Sequence, residues 1–266
     1  MSRETRPEVR PLVLDHVTKT FAGRHDPVIA VDDVSLTIEP GAAVALVGAS
    51  GSGKTTIGSM VTGALRPTSG TVTYGELPVH RLRAGGLRRY HHEVQMVFQD
   101  PYGALNPLHT VGYAVARPCR NFLRLSAHEA DQRVRQLLEQ VGLTPASQFA
   151  PKLPHQLSGG QRQRVVIARA LACDPGVIVA DEPVSMLDVS LRAGVLRLLA
   201  ELRESRGLSL LYITHDLLSA RVVTDQILVL NAGRVVESGG TKDVLQHPSD
   251  PYTVRLLDAI PNPFAA

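Results

Sequence analysis

One stretch constrains this chain more than any other. Gly48-Ala49-Ser50-Gly51-Ser52-Gly53-Lys54-Thr55 follows a short apolar run at residues 43–47 and opens a helical pattern over residues 54–64. A strand that stops at a glycine-rich turn and hands over to a helix is the repeating unit of parallel α/β sheets. The glycines let the backbone curl until successive N–H groups and the helix start face one point, which makes a cradle for phosphate. Lys54 adds charge between the β and γ positions of a bound polyphosphate, and the Thr55 hydroxyl can hold magnesium, while Gly48, Ser50, Gly51, Ser52, Gly53 and Thr56 complete the loop. An ordinary turn with an exposed lysine would need neither the strand before it nor the helix after it.

The rest of the pattern agrees with an α/β fold. Alternating apolar runs at residues 12–17 and 31–38 flank a loop at residues 23–27, an antiparallel opening. Further strands are expected at residues 71–74, 94–98, 177–180, 209–213 and 226–230, with helical spacing between them, so the sheet is mostly parallel and covered on both faces. Between residues 101 and 157 strand-like runs vanish. A helix at residues 128–141, bounded by Gly142, Pro145, Pro151 and Pro154, marks an inserted helical lobe. With 266 residues, 44% of them hydrophobic, and no internal repeat, one large domain is expected: a core of residues 11–100 and 158–240, the lobe 101–157, and a tail 241–266.

Several function classes are excluded on composition. The net charge is only +3, and the small cluster Arg81, Arg83, Arg88 and Arg89 reads as a solvated surface, so no nucleic-acid partner is expected. No run reaches the roughly 18 apolar residues of a spanning helix, and no apolar signal core follows MSRETRPEVR, which places the chain in the cytosol. Cys119 and Cys173 are too few for a disulfide framework or a four-cysteine metal site and read as reduced structural residues. No zinc-type histidine spacing and no Gly-x-Ser-x-Gly turn appears, so magnesium brought with nucleotide is the one metal expected.

Two more segments carry chemistry. The apolar run at residues 177–180 ends in Asp181 and Glu182, which puts two carboxylates at the carboxyl edge of the sheet where the phosphate loop also lies. Asp181 is placed to hold magnesium, and Glu182 to polarise the attacking water. Leu157-Ser158-Gly159-Gly160-Gln161 precedes a helical run at residues 162–172, a second helix start able to meet an anion.

With that pentapeptide roughly twenty residues ahead of Asp181-Glu182, the chain resembles the ABC ATPase superfamily. The resemblance covers residues 11–260. It implies a phosphate-loop NTPase core of RecA-like type with an N-terminal antiparallel β subdomain and an inserted α-helical subdomain. ATP with Mg2+ is the implied cofactor, Thr55, Gln99 and Asp181 being the metal positions. Phe21 matches the aromatic that stacks on adenine, a core aromatic being the alternative. Gln99, in Val97-Phe98-Gln99-Asp100-Pro101, matches the glutamine loop, and His215, in Ile213-Thr214-His215-Asp216, the switch histidine that meets the γ-phosphate. Asp188 ends the D-loop equivalent Ser185-Met186-Leu187-Asp188, in which Met186 stands where the family has a small residue.

The resemblance further implies that two subunits sandwich nucleotide head to tail. Lys54, Thr55, Asp181, Glu182 and His215 of one chain would then face Ser158, Gly159, Gly160 and Gln161 of the other. Asn106-Pro107 after the glutamine loop and the tail His247-Pro248-Ser249-Asp250-Pro251-Tyr252-Thr253, leading into a helix at residues 254–260 ended by Pro261, are similar to the oligopeptide, dipeptide and nickel importer ATPases. Gln156 and Ala104 depart from that pattern. In such a system the partners are a second ATPase subunit, identical or different, integral-membrane permease subunits and, indirectly, an extracytoplasmic solute-binding protein. The chain would lie peripherally on the inner face of the cell membrane. The alternative is an ABC ATPase docked on a soluble complex, of the carbon-phosphorus lyase accessory type.

Overall fold

The structure is a computed structural model that describes residues 9–23 and 26–259. The chain start, part of the expected loop at 23–27, and the expected tail-helix end at Ile260 and Pro261 lie outside the described residues.

The chain opens with β1 (Leu12–Phe21), β2 (Val28–Ile38), β3 (Ala43–Val47), α1 (Lys54–Val61), β4 (Ser69–Tyr74) and β5 (Leu77–Pro78). There follow α2 (Ala84–Glu93), β6 (Val94–Val97), α3 (Pro101–Ala104), α4 (Val111–Phe122), α5 (Ala127–Gln140), α6 (Ala146–Phe149), α7 (Gly159–Leu171), β7 (Val177–Asp181) and α8 (Val189–Arg206). The chain closes with β8 (Ser209–Thr214), α9 (Leu217–Val223), β9 (Gln226–Asn231), β10 (Arg234–Gly240), α10 (Thr241–Gln246) and α11 (Pro251–Asp258). Between residues 101 and 157 there are only helices and loops. Among the described residues no helix is long and apolar enough to cross a membrane.

Two compact units emerge, with the chain passing from one to the other inside α2 and again after α8. One contains residues 10–87 and those from 209 on. It has an antiparallel sheet in the order β2-β1-β4-β5 and the strands β10-β9-β3-β8, in which β3 runs parallel to both β8 and β9. All five residues of β3 are buried, as expected of a central parallel strand read as an unbroken apolar run. In β1 the buried residues Leu12, Leu14 and Val17 face the core while Asp15 and His16 are exposed, and register shifts mark bulges along the β1–β2 pair. Arg234 of β10 ties this unit together by an ion pair to Asp32 of β2 at 2.6 Å.

The other unit, residues 88–208, wraps α3 to α8 around the parallel pair β6–β7. Helix α5 shows why these segments are helical. Ser126 and Glu129 form a reciprocal capping box, Ala130, Val134, Leu137 and Leu138 make a buried stripe, and Gly142 follows in a left-handed turn at φ +77°. Burying leucines such as Leu137 and Leu138 contributes roughly 1.5–3 kcal/mol each. Arg133 of α5 and Arg206 of α8 both reach Asp174, at 3.3 and 3.1 Å, and so clamp the loop that leads into β7.

Candidate functional site

The glycine-rich loop leaves the carboxyl end of β3 at Gly48 and enters α1 at Lys54. A β-carbon on Gly48 would lie 2.2 Å from the Leu230 carbonyl oxygen of β9 and 2.7 Å from Ser52 Oγ, so only glycine lets the chain pass. Gly51 and Gly53 take φ of +79° and +105°, values that side chains resist, and a β-carbon on Gly53 would sit 2.3 Å from the Ala30 carbonyl oxygen of β2. The curl is closed by the Ser52 N–H donating to the Ala49 carbonyl at 3.2 Å, and the Gly233 N–H donates to the Ser52 carbonyl at 3.1 Å. Helix α1 has no side-chain cap at Gly53, so the amides of its first turn point outward at the positive end of the helix.

Lys54 is buried, 5% exposed, and its ammonium turns back on the loop, donating to the carbonyls of Gly48 and Ala49 at 2.7 and 2.8 Å. Ser50 and Thr55 are exposed, Thr56 half-buried and Ser52 buried. A buried cation beside uncapped helix amides is a donor set made for an anion bearing several oxygens, and the steric limits at Gly48 and Gly53 leave the backbone to reach it directly. The same unit carries His215, exposed just past the end of β8, where the Asp216 carboxylate accepts the Leu218 and Ser219 N–H groups and starts α9. Phe21 ends β1, the residue 41% exposed, with the Lys19 ammonium 5.2 Å from the centre of its ring.

The other unit holds the carboxylates. Strand β7 is buried along its whole length and ends in Asp181, 6% exposed, and the next residue, Glu182, adopts φ +44°. In the β6–β7 register Val97 stands opposite Ala180, so two residues further on Gln99 and Glu182 come level. The Gln99 Nε2 donates to Glu182 Oε2 at 3.1 Å. Ser185 holds the backbone here, its N–H and hydroxyl both donating to the Glu182 carbonyl, at 3.2 and 3.0 Å.

At the start of α7 the Ser158 hydroxyl accepts the Gln161 N–H at 3.2 Å, and Gln161 Oε1 accepts the Ser158 N–H at 3.1 Å. The serine expected to meet a ligand is thus also the cap of its own helix, and its hydroxyl proton is what remains to be donated. Gly160 is buried against Leu191, to which an added β-carbon would come within 3.3 Å. Asp188 starts α8 without a side-chain cap bond and is exposed. Around it Met186, Val189 and Leu191 are 55%, 80% and 38% exposed, an apolar stretch with water over it.

One residue escaped the motif reading. Arg162, 5% exposed, donates from Nε to the Pro154 carbonyl and from Nη2 to the Leu157 carbonyl, each at 3.1 Å, and its guanidinium lies 3.8 Å from the centre of the Tyr102 ring. It fastens the segment before Ser158 to α3, next to the glutamine loop. Nothing in the sequence set it apart, since α7 also carries Arg164 and Arg169, and only its burial distinguishes it.

Comparison with known proteins gives the same picture. Residues 31–185 match the family described as ABC transporter. The chain is 45% identical over 237 residues to the oligopeptide transport ATP-binding protein OppF of Lactococcus lactis subsp. lactis (strain IL1403), spanning 89% of this chain and 74% of that protein. It is 41% identical to the dipeptide transport ATP-binding protein DppF of Haemophilus influenzae, over 92% of this chain and 74% of that one. Among solved structures it resembles a dimeric post-hydrolysis state of the ATP-binding cassette MJ0796 bound to ADP and Pi. The TM-score is 0.79 at 33% identity, over 86% of this chain and 98% of that one.

Proposed function

The chain belongs to the ABC transporter family of ATP-binding, ATP-hydrolysing subunits, and from that premise we propose that it energises the import of peptides or a related small solute such as nickel. The observation that carries the nucleotide reading is the phosphate cradle: Gly48 and Gly53, where any side chain would strike a backbone carbonyl, and Lys54 with its ammonium drawn into the loop. The transport reading draws on the relatives, whose names are those of peptide and dipeptide import ATPases, and these favour it over an ATPase docked on a soluble complex.

In this reading the amides of residues 51–55 and Lys54 bind the β- and γ-phosphates, and Phe21 stacks on the adenine with the face its ring leaves exposed. Magnesium, when bound, spreads the charge of the phosphates, and Thr55, Gln99 and Asp181 are the residues that would hold it. Glu182 orients and polarises the attacking water, its carboxylate aimed by the Gln99 amide and its backbone braced by Ser185. His215 meets the γ-phosphate from the exposed end of β8.

Ser158, Gly159, Gly160, Gln161 and Asp188 serve the nucleotide of a second subunit. The exposed Met186, Val189 and Leu191 beside them support an apolar surface that such a partner covers. We assign residues 11–100 and 158–240 to the catalytic core and 241–266 to a tail. The helical stretch 101–157 passes closure on to membrane permease subunits, with a solute-binding protein beyond them. In this reading the chain works peripherally on the inner face of the cell membrane.

The test is magnesium-dependent ATP hydrolysis by the purified chain, wild type beside Glu182→Gln, across a range of protein concentrations. The expected result is activity that rises faster than linearly with concentration, and a variant that binds ATP and associates but is nearly inactive. Unimpaired turnover by the variant would sink the role given to Glu182, and nucleotide binding without hydrolysis by the wild type would point to a required partner subunit of different sequence.

A further inference from the structure

The tail motif His247-Pro248-Ser249-Asp250-Pro251-Tyr252-Thr253 has no part in the function proposed above, yet it is tied to the phosphate loop. Helix α11 starts at a fixed place. The Asp250 carboxylate accepts the Tyr252 N–H at 2.7 Å, and Pro251 occupies the first helical position. Just ahead, the Glu237 carboxylate of β10 accepts the N–H and hydroxyl of Ser249 at 2.7 and 2.8 Å and the Asp250 N–H at 3.2 Å. Burial pushes the Glu237 carboxyl up, but the Thr253 hydroxyl, and after it the groups of Ser249 and Asp250, outweigh burial and hold the carboxyl below its ordinary value, so it acts as a carboxylate. Strand β10 pairs with β9, and β9 with β3, the strand that ends in the loop.

From this platform the Tyr252 hydroxyl accepts the N–H of Ala49 at 3.0 Å. Ala49 is the residue on which the loop turns, since its carbonyl accepts both the Ser52 N–H at 3.2 Å and the Lys54 ammonium at 2.8 Å. The residue is therefore gripped through its N–H by the tail and through its carbonyl by the loop. A glycine-rich loop left to itself has more freedom to lose on binding than any other backbone, and an anchor that removes part of that freedom beforehand raises affinity.

We propose that Tyr252 is a positioning residue for the phosphate loop: by holding the Ala49 N–H it keeps the loop in its nucleotide-receiving curl, so that the C-terminal tail sets the affinity for ATP. The proposal rests on the reading of residues 48–55 as the ATP site.

Tyr252→Phe removes the hydroxyl and keeps the ring. One neutral hydrogen bond shifts an equilibrium by about threefold to tenfold, so the Kd for ATP with magnesium and the KM of hydrolysis should rise by that factor. The kcat and the unfolding temperature without nucleotide should stay near those of the wild type. Tyr113→Phe, which deletes a hydroxyl that takes a hydrogen bond from Arg117 in the helical segment, should leave the Kd unchanged. Glu237→Gln, which loosens the start of α11, should raise the Kd too, and its effect should not add to that of Tyr252→Phe. Equal ATP affinity for wild type and Tyr252→Phe overturns the proposal while leaving the ATP site intact, as does a variant that loses kcat and thermal stability at unchanged KM. A wild-type chain that binds no ATP overturns both the proposal and the reading beneath it.

Discussion

Two glycines of the same loop give a test of its geometry that needs no ligand. Gly51 and Gly53 both sit at positive φ, +79° and +105°, but a β-carbon on Gly51 meets nothing within 4 Å, whereas one on Gly53 lies 2.3 Å from the Ala30 carbonyl oxygen. Alanine at 51 suffers only the dihedral penalty, about 1–2 kcal/mol, part of which is offset by the reduced freedom of the unfolded chain. For a chain of this size that lowers Tm by about 1–5 °C. Alanine at 53 suffers a worse dihedral and a clash with backbone, not with a side chain that can swing away. To regain even 3.0 Å, the carbonyl or the loop must retreat by 0.7 Å, the difference between that limit and 2.3 Å. Ala30 lies in β2 at a register shift, between the pairs Val31–Lys19 and Ile29–Thr20 that tie the strand to β1, so the retreat strains the paired residues on either side of it. Strain and overpacking together come to roughly 3–5 kcal/mol, or about 6–20 °C in Tm. Thermal unfolding of the two variants without nucleotide measures this difference. If Gly53→Ala melts within 2 °C or so of Gly51→Ala, the close approach of loop and β2 is not what demands the glycine.

Three further outcomes follow from buried groups. Burial, with a smaller push from the neighbouring Cys119 and an opposing pull from Arg169, moves the Cys173 thiol up to about 12. A maleimide at pH 8 should therefore leave both buried cysteines unlabelled in the folded chain and label both after denaturation, and rapid labelling of the native protein would contradict the packing. Because the unfolded thiol ionises near 9.0, the native state holds more protons between that value and about 12, so this group's contribution to stability falls as pH rises through that window. Arg162→Lys keeps the charge but cannot bond both backbone carbonyls in a fork or lie flat on Tyr102, and should cost about 1–3 kcal/mol, a Tm loss of about 2–12 °C. An unchanged Tm would show that the Pro154 and Leu157 carbonyls do not depend on the guanidinium.

What could be read from the sequence was what has a period or a run. Strands β3 and β7, buried at every position, stand within one residue of the apolar runs that announced them, and α5 within one residue of its expected ends. Strand β10 gave no such signal because none of its seven residues is buried, and an edge strand of that kind has no apolar face to display. Helix α11 begins at Pro251, three residues ahead of the expected 254, because Asp250 and Pro251 cap and open it. The hydrogen bond between Gln99 and Glu182 was illegible for a different reason: it joins residues 83 apart, and only the register of β6 against β7 makes them level.

The phosphate loop is the extreme case of that limit, because the eight-residue motif is one half of a fit whose other half has no motif at all. Gly48 is required by the carbonyl of Leu230, Gly53 by the carbonyl of Ala30, and the Ser52 carbonyl is taken by the N–H of Gly233. These partners lie on β2, on β9 and in the turn after it, far from the loop in sequence, and they act through backbone atoms that every residue type carries. A sequence can therefore announce that a loop must be glycine-rich without showing what presses on it. The two sides of each contact therefore differ: exchanging the side chain at Ala30 or Leu230 leaves the pressing carbonyl where it is, whereas adding one carbon to Gly48 or Gly53 drives it into that carbonyl. Tyr252 breaks the pattern, since its grip on Ala49 comes from a side chain, and that is why this one support of the loop left a trace in the tail motif.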